Sequence, residues 1–141
     1  MIKKILVVDD SRLVHYVYRA VLQRHNCEIV EAMNGQEALD LLAVHNDIQL
    51  IILDINMPIM NGVQFMEKAE SLGIPGKIPI VICSTAGKEV DVLRGLKLGA
   101  KTFLKKPFDA AILHQLIDRL VTVPVFYECL FDTPLLEKGH Q

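Results

Sequence analysis

The chain has 141 residues, room for about one domain, and its 15 Lys+Arg against 17 Asp+Glu leave a formal net charge of −2. Overall charge therefore gives no affinity for nucleic acid or an anionic membrane, while 51% hydrophobic residues with 8 Gly and 6 Pro exclude a disordered or collagen-like chain. Cys27, Cys83 and Cys129 form no Cys-x-x-Cys pair, and no apolar run reaches the ~18 residues of a membrane span, so a cytoplasmic protein without disulfide framework, zinc site or membrane anchor is expected.

Ile5-Leu6-Val7-Val8 is too short and too β-branched for a helix, and Asp9-Asp10-Ser11 behind it supplies turn and helix-capping chemistry. From Arg12 to about His25, Val14, Val17, Tyr18 and Val21 recur at helical spacing, with Arg12, His15, Arg19 and Gln23 on the other side. His15 and His25 have no second ligand at metal spacing and are expected at the surface. Cys27–Ala32 reads as a second strand, and Asn34-Gly35 breaks the chain before the helix formers Glu37–Ala43. Leu50-Ile51-Ile52-Leu53 is apolar at every residue, as a central strand covered on both faces must be.

Met57-Pro58 blocks helix continuation, Asn61-Gly62 marks a turn, and Val63–Leu72 reads as helix three. A loop at 73–77 precedes strand Ile78–Cys83, helix Lys88–Leu98 closed by Gly99, and the short strand Thr102-Phe103-Leu104. Lys106-Pro107-Phe108-Asp109 then opens a fifth helix ending near Val121. Five strands alternating with five helices predict an α/β fold, a doubly wound parallel sheet over residues 1–121. Residues 122–141 are apolar and proline-interrupted, and are expected to be a docked C-terminal extension, a linker stub or a dimer contact.

In an open parallel sheet, ligands bind beyond the carboxyl ends of the strands. Just past those ends lie Asp9 and Asp10, Asp54, Ser84-Thr85, and Lys105-Lys106. Each has an ordinary reading as a cap, strand end or helix entry. Their coincidence on four strands favours a site. Three converging carboxylates repel one another and call for a cation. Oxygen ligands without His or Cys suit Mg²⁺. A carboxylate screened by metal and ammonium charge can attack phosphorus, and Lys106 can supply the ammonium.

Val7-Val8-Asp9-Asp10-Ser11-Arg12, Leu53-Asp54-Ile55-Asn56-Met57-Pro58-Ile59-Met60-Asn61-Gly62, Ser84-Thr85-Ala86 and Phe103-Leu104-Lys105-Lys106-Pro107-Phe108 resemble the receiver domains of two-component response regulators. The match covers about residues 2–121. It implies the flavodoxin-like strand order 2-1-3-4-5. It implies phosphorylation of Asp54 by phosphohistidine of a histidine kinase or phosphotransfer protein, with Mg²⁺ held by Asp9, Asp10, Asp54 and the main-chain carbonyl of Asn56. Thr85 matches the hydroxyl residue that hydrogen-bonds the acyl phosphate, Lys106 the lysine that pairs with it, and Phe103 an aromatic that changes rotamer with activation. Met57-Pro58 and Gly62 match the turn after the phosphorylated strand, and Asn56 and Gly87 the positions that tune hydrolysis.

A phosphoryl group adds about one to two negative charges and three acceptor oxygens. Drawing Thr85 inward would vacate space for Phe103 and change the face of helix four, strand five and helix five, where a downstream protein target would bind. Leu13 and Tyr16 lie off the first helix's stripe beside the acid pair, and are expected either to contact the phosphodonor or to pack under neighbouring loops. The expected class is a signalling module that catalyses its own phosphorylation and dephosphorylation, not a conventional enzyme. Standing alone and forming the receiver part of a longer regulator are both open. An aspartyl phosphatase is disfavoured because Asn56 cannot protonate a leaving group. A flavin carrier is disfavoured because Asp9-Asp10 repels phosphate unless a metal intervenes.

Overall fold

The computed structural model describes residues 2–122. Five strands, β1 (Lys4–Val8), β2 (Glu28–Ala32), β3 (Leu50–Asp54), β4 (Ile80–Ser84) and β5 (Thr102–Lys105), alternate with helices α1 (Arg12–Leu22), α2 (Gly35–Val44), α3 (Gly62–Ser71), α4 (Glu89–Lys97) and α5 (Ala110–Thr122). The strands form one parallel sheet in the order β2-β1-β3-β4-β5. From β1 the chain leaves toward β2 and from β3 toward β4. The connections therefore diverge between β1 and β3 and open a crevice at their carboxyl ends.

Successive strand residues face opposite sides of a sheet, and the buried clusters divide by that alternation. Ile5, Val7, Leu50, Ile52, Val81, Cys83 and Leu104 pack with Tyr18 and Leu22 of α1 and Leu113, Leu116 and Ile117 of α5. Leu6, Val8, Ile51, Leu53, Ile80, Ile82 and Phe103 pack with Ala38 of α2, Phe65, Met66 and Ala69 of α3, and Val92 of α4. Each Val, Leu, Ile, Phe or Met side chain buried this fully contributes about 1.5–3 kcal/mol relative to exposure.

Helix starts follow from capping side chains. Ser11 Oγ accepts from Val14 N–H at 3.2 Å, and Asn34 Oδ1 from Glu37 N–H at 2.9 Å. Asn61 and Gln64 exchange side-chain and backbone bonds, each of 2.9 Å, in a capping box that starts α3 at Gly62. β4 begins at Ile80, two residues later than expected; Pro79 has no N–H, but its carbonyl accepts from Ile51 N–H at 3.0 Å. α5 begins at Ala110 rather than at Lys106, because Asp109 Oδ1 accepts from Ala111 N–H at 2.8 Å and caps it there.

The first helix differs most from expectation. Its buried residues are His15, Tyr18 and Leu22, whereas Val17 is 39% exposed. α1 stops at Leu22 and a 3-10 turn, Gln23–His25, ends at Asn26 in left-handed geometry, φ 53°. His25 is also not a free surface residue: its Nε2 lies 2.7 Å from His114 Nδ1 on α5, with ring centroids 4.9 Å apart. Beyond Thr122, the tail read as an extension or dimer contact lies outside the described residues. Among those residues Cys27 and Cys83 are free thiols. No helix among them is long and apolar enough to cross a membrane.

Candidate functional site

Asp9, Asp54, Thr85 and Lys106 each stand an even number of residues from Val7, Ile52, Cys83 and Leu104, all of the α1/α5 side. Continued past the strand ends, that parity favours one face at one end of the sheet, and there the Asp9, Asp54 and Lys106 side chains meet. Ligand oxygens of Asp9, Asp10 and Asp54 all lie within 4.8 Å of one another. Lys106 reaches into this group: its Nζ donates to Asp9 Oδ2 at 2.7 Å and to Asp54 Oδ1 at 3.2 Å.

Burial is graded across the site. Asp9 is 2% and Asp54 8% exposed, whereas Asp10, Asn56 and Thr85 are exposed at the rim. Asp9 is fixed further by Ser11 N–H, which donates to its Oδ1 at 2.9 Å. Burial raises the Asp54 pKa above the usual carboxylate value; the Lys106 charge opposes the rise and Asp9 adds to it. Burial alone would lower the Lys106 pKa, but its bond to Asp9 and the charges of Asp54 and Asp9 outweigh this and raise it. Burial chiefly pushes the thiol of Cys83, opposite Asp54 in the ladder, up to about 11, which keeps it protonated at neutral pH.

The donor set fits a hard divalent cation. Three carboxylates and one ammonium leave two formal negative charges, and oxygen donors without imidazole or thiolate match Mg²⁺ chemistry. Asp10 and Asn56 on the open side leave room for the waters that Mg²⁺ retains.

The surrounding loops hold this geometry. Gly62 N–H donates to the Ile55 carbonyl at 2.8 Å, folding the loop after β3 back on the strand end. Phe108, two residues past Lys106, stacks on Tyr18 of α1 with centroids 5.1 Å apart and planes 19° apart. Phe103 is 6% exposed and packed in the cluster with Ile82 and Val92. On α1, Leu13 and Tyr16 are 72% and 63% exposed.

Sequence reasoning missed two features here. Ile59 adopts φ 67°, rare for a β-branched residue, in a tight turn closed by Met60 N–H donating to the Pro58 carbonyl at 2.7 Å; its side chain is 81% exposed. His15 is 2% exposed, and its Nε2 lies 2.7 Å from the Asp9 carbonyl oxygen. The signal for His15 was present, because His15, Tyr18 and Leu22 are spaced by three and four residues, a helical face.

Comparison with known proteins decides the family, because the response regulator receiver domain model matches residues 5–118. The chain belongs to the response regulator receiver domain family. Among relatives of this receiver domain, the chemotaxis protein CheY homolog of Campylobacter jejuni is 34% identical over 117 residues, 82% of this chain and 89% of the relative. Chemotaxis protein CheY1 of Helicobacter pylori is 34% identical over 116 residues, 82% of this chain and 94% of that one. The transcriptional regulatory protein CpxR of Escherichia coli is 35% identical over 106 residues, 75% of this chain but 44% of CpxR. In structure, the chemotaxis response regulator CheY4 of Vibrio cholerae superposes with a TM-score of 0.75 at 29% identity, over 85% of this chain and 99% of CheY4. The five-stranded order and five helices are those of a CheY-like receiver domain. The chain is thus a two-component signalling module.

Proposed function

We propose that this receiver domain takes a phosphoryl group from phosphohistidine of a histidine kinase or phosphotransfer protein onto Asp54. The observation that carries the reading is the bridging position of the Lys106 ammonium, bonded to Asp9 and Asp54 at once. In the step, an Asp54 Oδ forms a bond to phosphorus as the phosphorus–nitrogen bond to the donor imidazole breaks, and the imidazole leaves with the electron pair of that bond. Lys106 holds positive charge beside the carboxylate that attacks and beside the oxygens that accumulate charge. Thr85, at the rim, supplies a hydroxyl donor for a phosphoryl oxygen.

Asp9, Asp10, Asp54 and the main-chain carbonyl of Asn56 would hold Mg²⁺. When bound, the ion neutralises charge on the transferred group. Phosphorylation would favour an inward position of Thr85 and a rotamer change of Phe103, altering the face of α4, β5 and α5 for a downstream protein target. Val90 and Leu93 of α4 and Ile112 of α5 are already exposed there, at 81%, 42% and 36%. Leu13 and Tyr16 supply apolar contact for the phosphodonor beside the acidic pair.

The test is incubation with acetyl phosphate and Mg²⁺ followed by intact mass. The expected result is a gain of one phosphoryl group that disappears in Asp54→Ala; no gain in the unaltered protein, or an equal gain in the variant, would refute the assignment. Amide resonances of residues 88–119, with and without a phosphoryl mimic, report on the switch, and unchanged shifts there would refute it.

A further inference from the structure

We propose that His15 is a positioning residue for the divalent cation, acting through the main chain of the acidic pair; the inference rests on the metal reading above. Asp9 N–H extends the β1–β2 ladder by donating to the Ala32 carbonyl at 3.0 Å, but the Asp9 carbonyl has left the sheet. It accepts instead from His15 at 2.7 Å. A carbonyl only accepts, so Nε2 carries the hydrogen of this bond. With Ser11 N–H on Asp9 Oδ1, three bonds pin the backbone on both sides of Asp10, the exposed member of the pair.

The imidazole is costly where it sits. It shares the buried face of α1 with Tyr18 and Leu22, and its Nδ1 is buried without a hydrogen-bond partner, 3.8 Å from Glu31 Oε1. Glu31 is itself paired with Arg19 of α1. An aliphatic side chain would fill the same space with no polar atom to desolvate. What it could not do is hold the Asp9 carbonyl. Groups that orient metal ligands commonly carry tenfold or greater effects on affinity.

The experiment follows the Asp10 and Asn56 amide resonances during Mg²⁺ titration of the unaltered protein, His15→Met and His15→Gln, with thermal melts establishing that each variant is folded. Met keeps bulk and loses the donor; Gln keeps an amide N–H for the carbonyl. The expected result is a dissociation constant raised about tenfold in His15→Met and returned toward the original value in His15→Gln. A folded Met variant with unchanged affinity, or equal weakening in both variants, would overturn the role of the Nε2 bond while leaving the metal site standing. No Mg²⁺ response in the unaltered protein would overturn both.

Discussion

A Cβ built on Gly62 would lie 2.3 Å from the carbonyl oxygen of Asp54, closer than any side chain can approach a backbone that is fixed in a sheet. The start of α3 is thus pressed against the residue proposed to carry the phosphoryl group. Gly62→Ala is expected to destabilise the fold by about 1–3 kcal/mol, although alanine is otherwise the better helix former by about 1 kcal/mol. Urea denaturation reads this directly, and a stability equal to or above that of the original chain would contradict the close approach.

Removing the Lys106 ammonium should separate chemistry from metal binding. In Lys106→Met, Asp9 and Asp54 lose the cation that now lies 2.7 and 3.2 Å away. Labelling by acetyl phosphate is expected to slow on the order of 10²-fold, as when one stabilising donor is lost from a transition state. Mg²⁺ affinity should be unchanged or tighter, since a competing positive charge is gone. Equal labelling rates for the two proteins would remove Lys106 from the mechanism.

The acidic group predicts a thermal signature. A ligand that binds only the folded state adds stability as RT ln(1 + [L]/Kd), about 2.7 kcal/mol at a hundredfold excess over Kd. The melting temperature should therefore climb with Mg²⁺ and return when the ion is chelated. In Asp10→Asn, which removes one of the converging carboxylates at the open rim, the climb should flatten. A melting curve of the original chain that ignores Mg²⁺ would count against the site.

A pH-responsive contact lies away from the acids, where His25 and His114 join the 3-10 turn to α5. The His114 pKa lies below its ordinary value of 6.5, first through burial, then through the charges of Arg24 and His25, with Asp118 opposing. The unfolded chain therefore takes up this proton before the folded one as pH falls. The stabilising contribution is complete above pH 6.5 and is lost between 6.5 and the lower folded pKa. The stability advantage of the original chain over His114→Asn should shrink from pH 7.5 to about 5.5. An advantage independent of pH in chemical denaturation would refute the coupling.

Much of the site was readable because polar residues ended four strongly apolar strands, and Asp9, Asp54, Thr85 and Lys106 keep the parity of apolar residues on one face. Helix α1 was harder. Sorting by polarity placed His15 outside and Val17 inside, whereas the backbone carbonyl of Asp9 offers the imidazole a buried partner. Such a partner belongs to the folded backbone and leaves no trace in side-chain composition. The His25–His114 contact was hidden for another reason: it joins two side chains 89 residues apart in the chain, which only the packing of α5 beside the 3-10 turn brings together. Strand and helix ends moved by one to four residues where a proline lacked a donor or a cap such as Asp109 set the start.

Because alternate strand residues carry the proposed chemistry, the four groups have a phase as well as a place. Lengthening a surface connection, such as the stretch between α2 and β3, leaves that phase untouched. One extra residue inside β1, β3, β4 or β5 would invert it, turning an acid or the ammonium toward α2, α3 and α4 while the strand stayed as apolar as before. Variation among chains that share this architecture should therefore accumulate in the connections, and single insertions within those strands should silence the phosphoryl chemistry before they abolish folding.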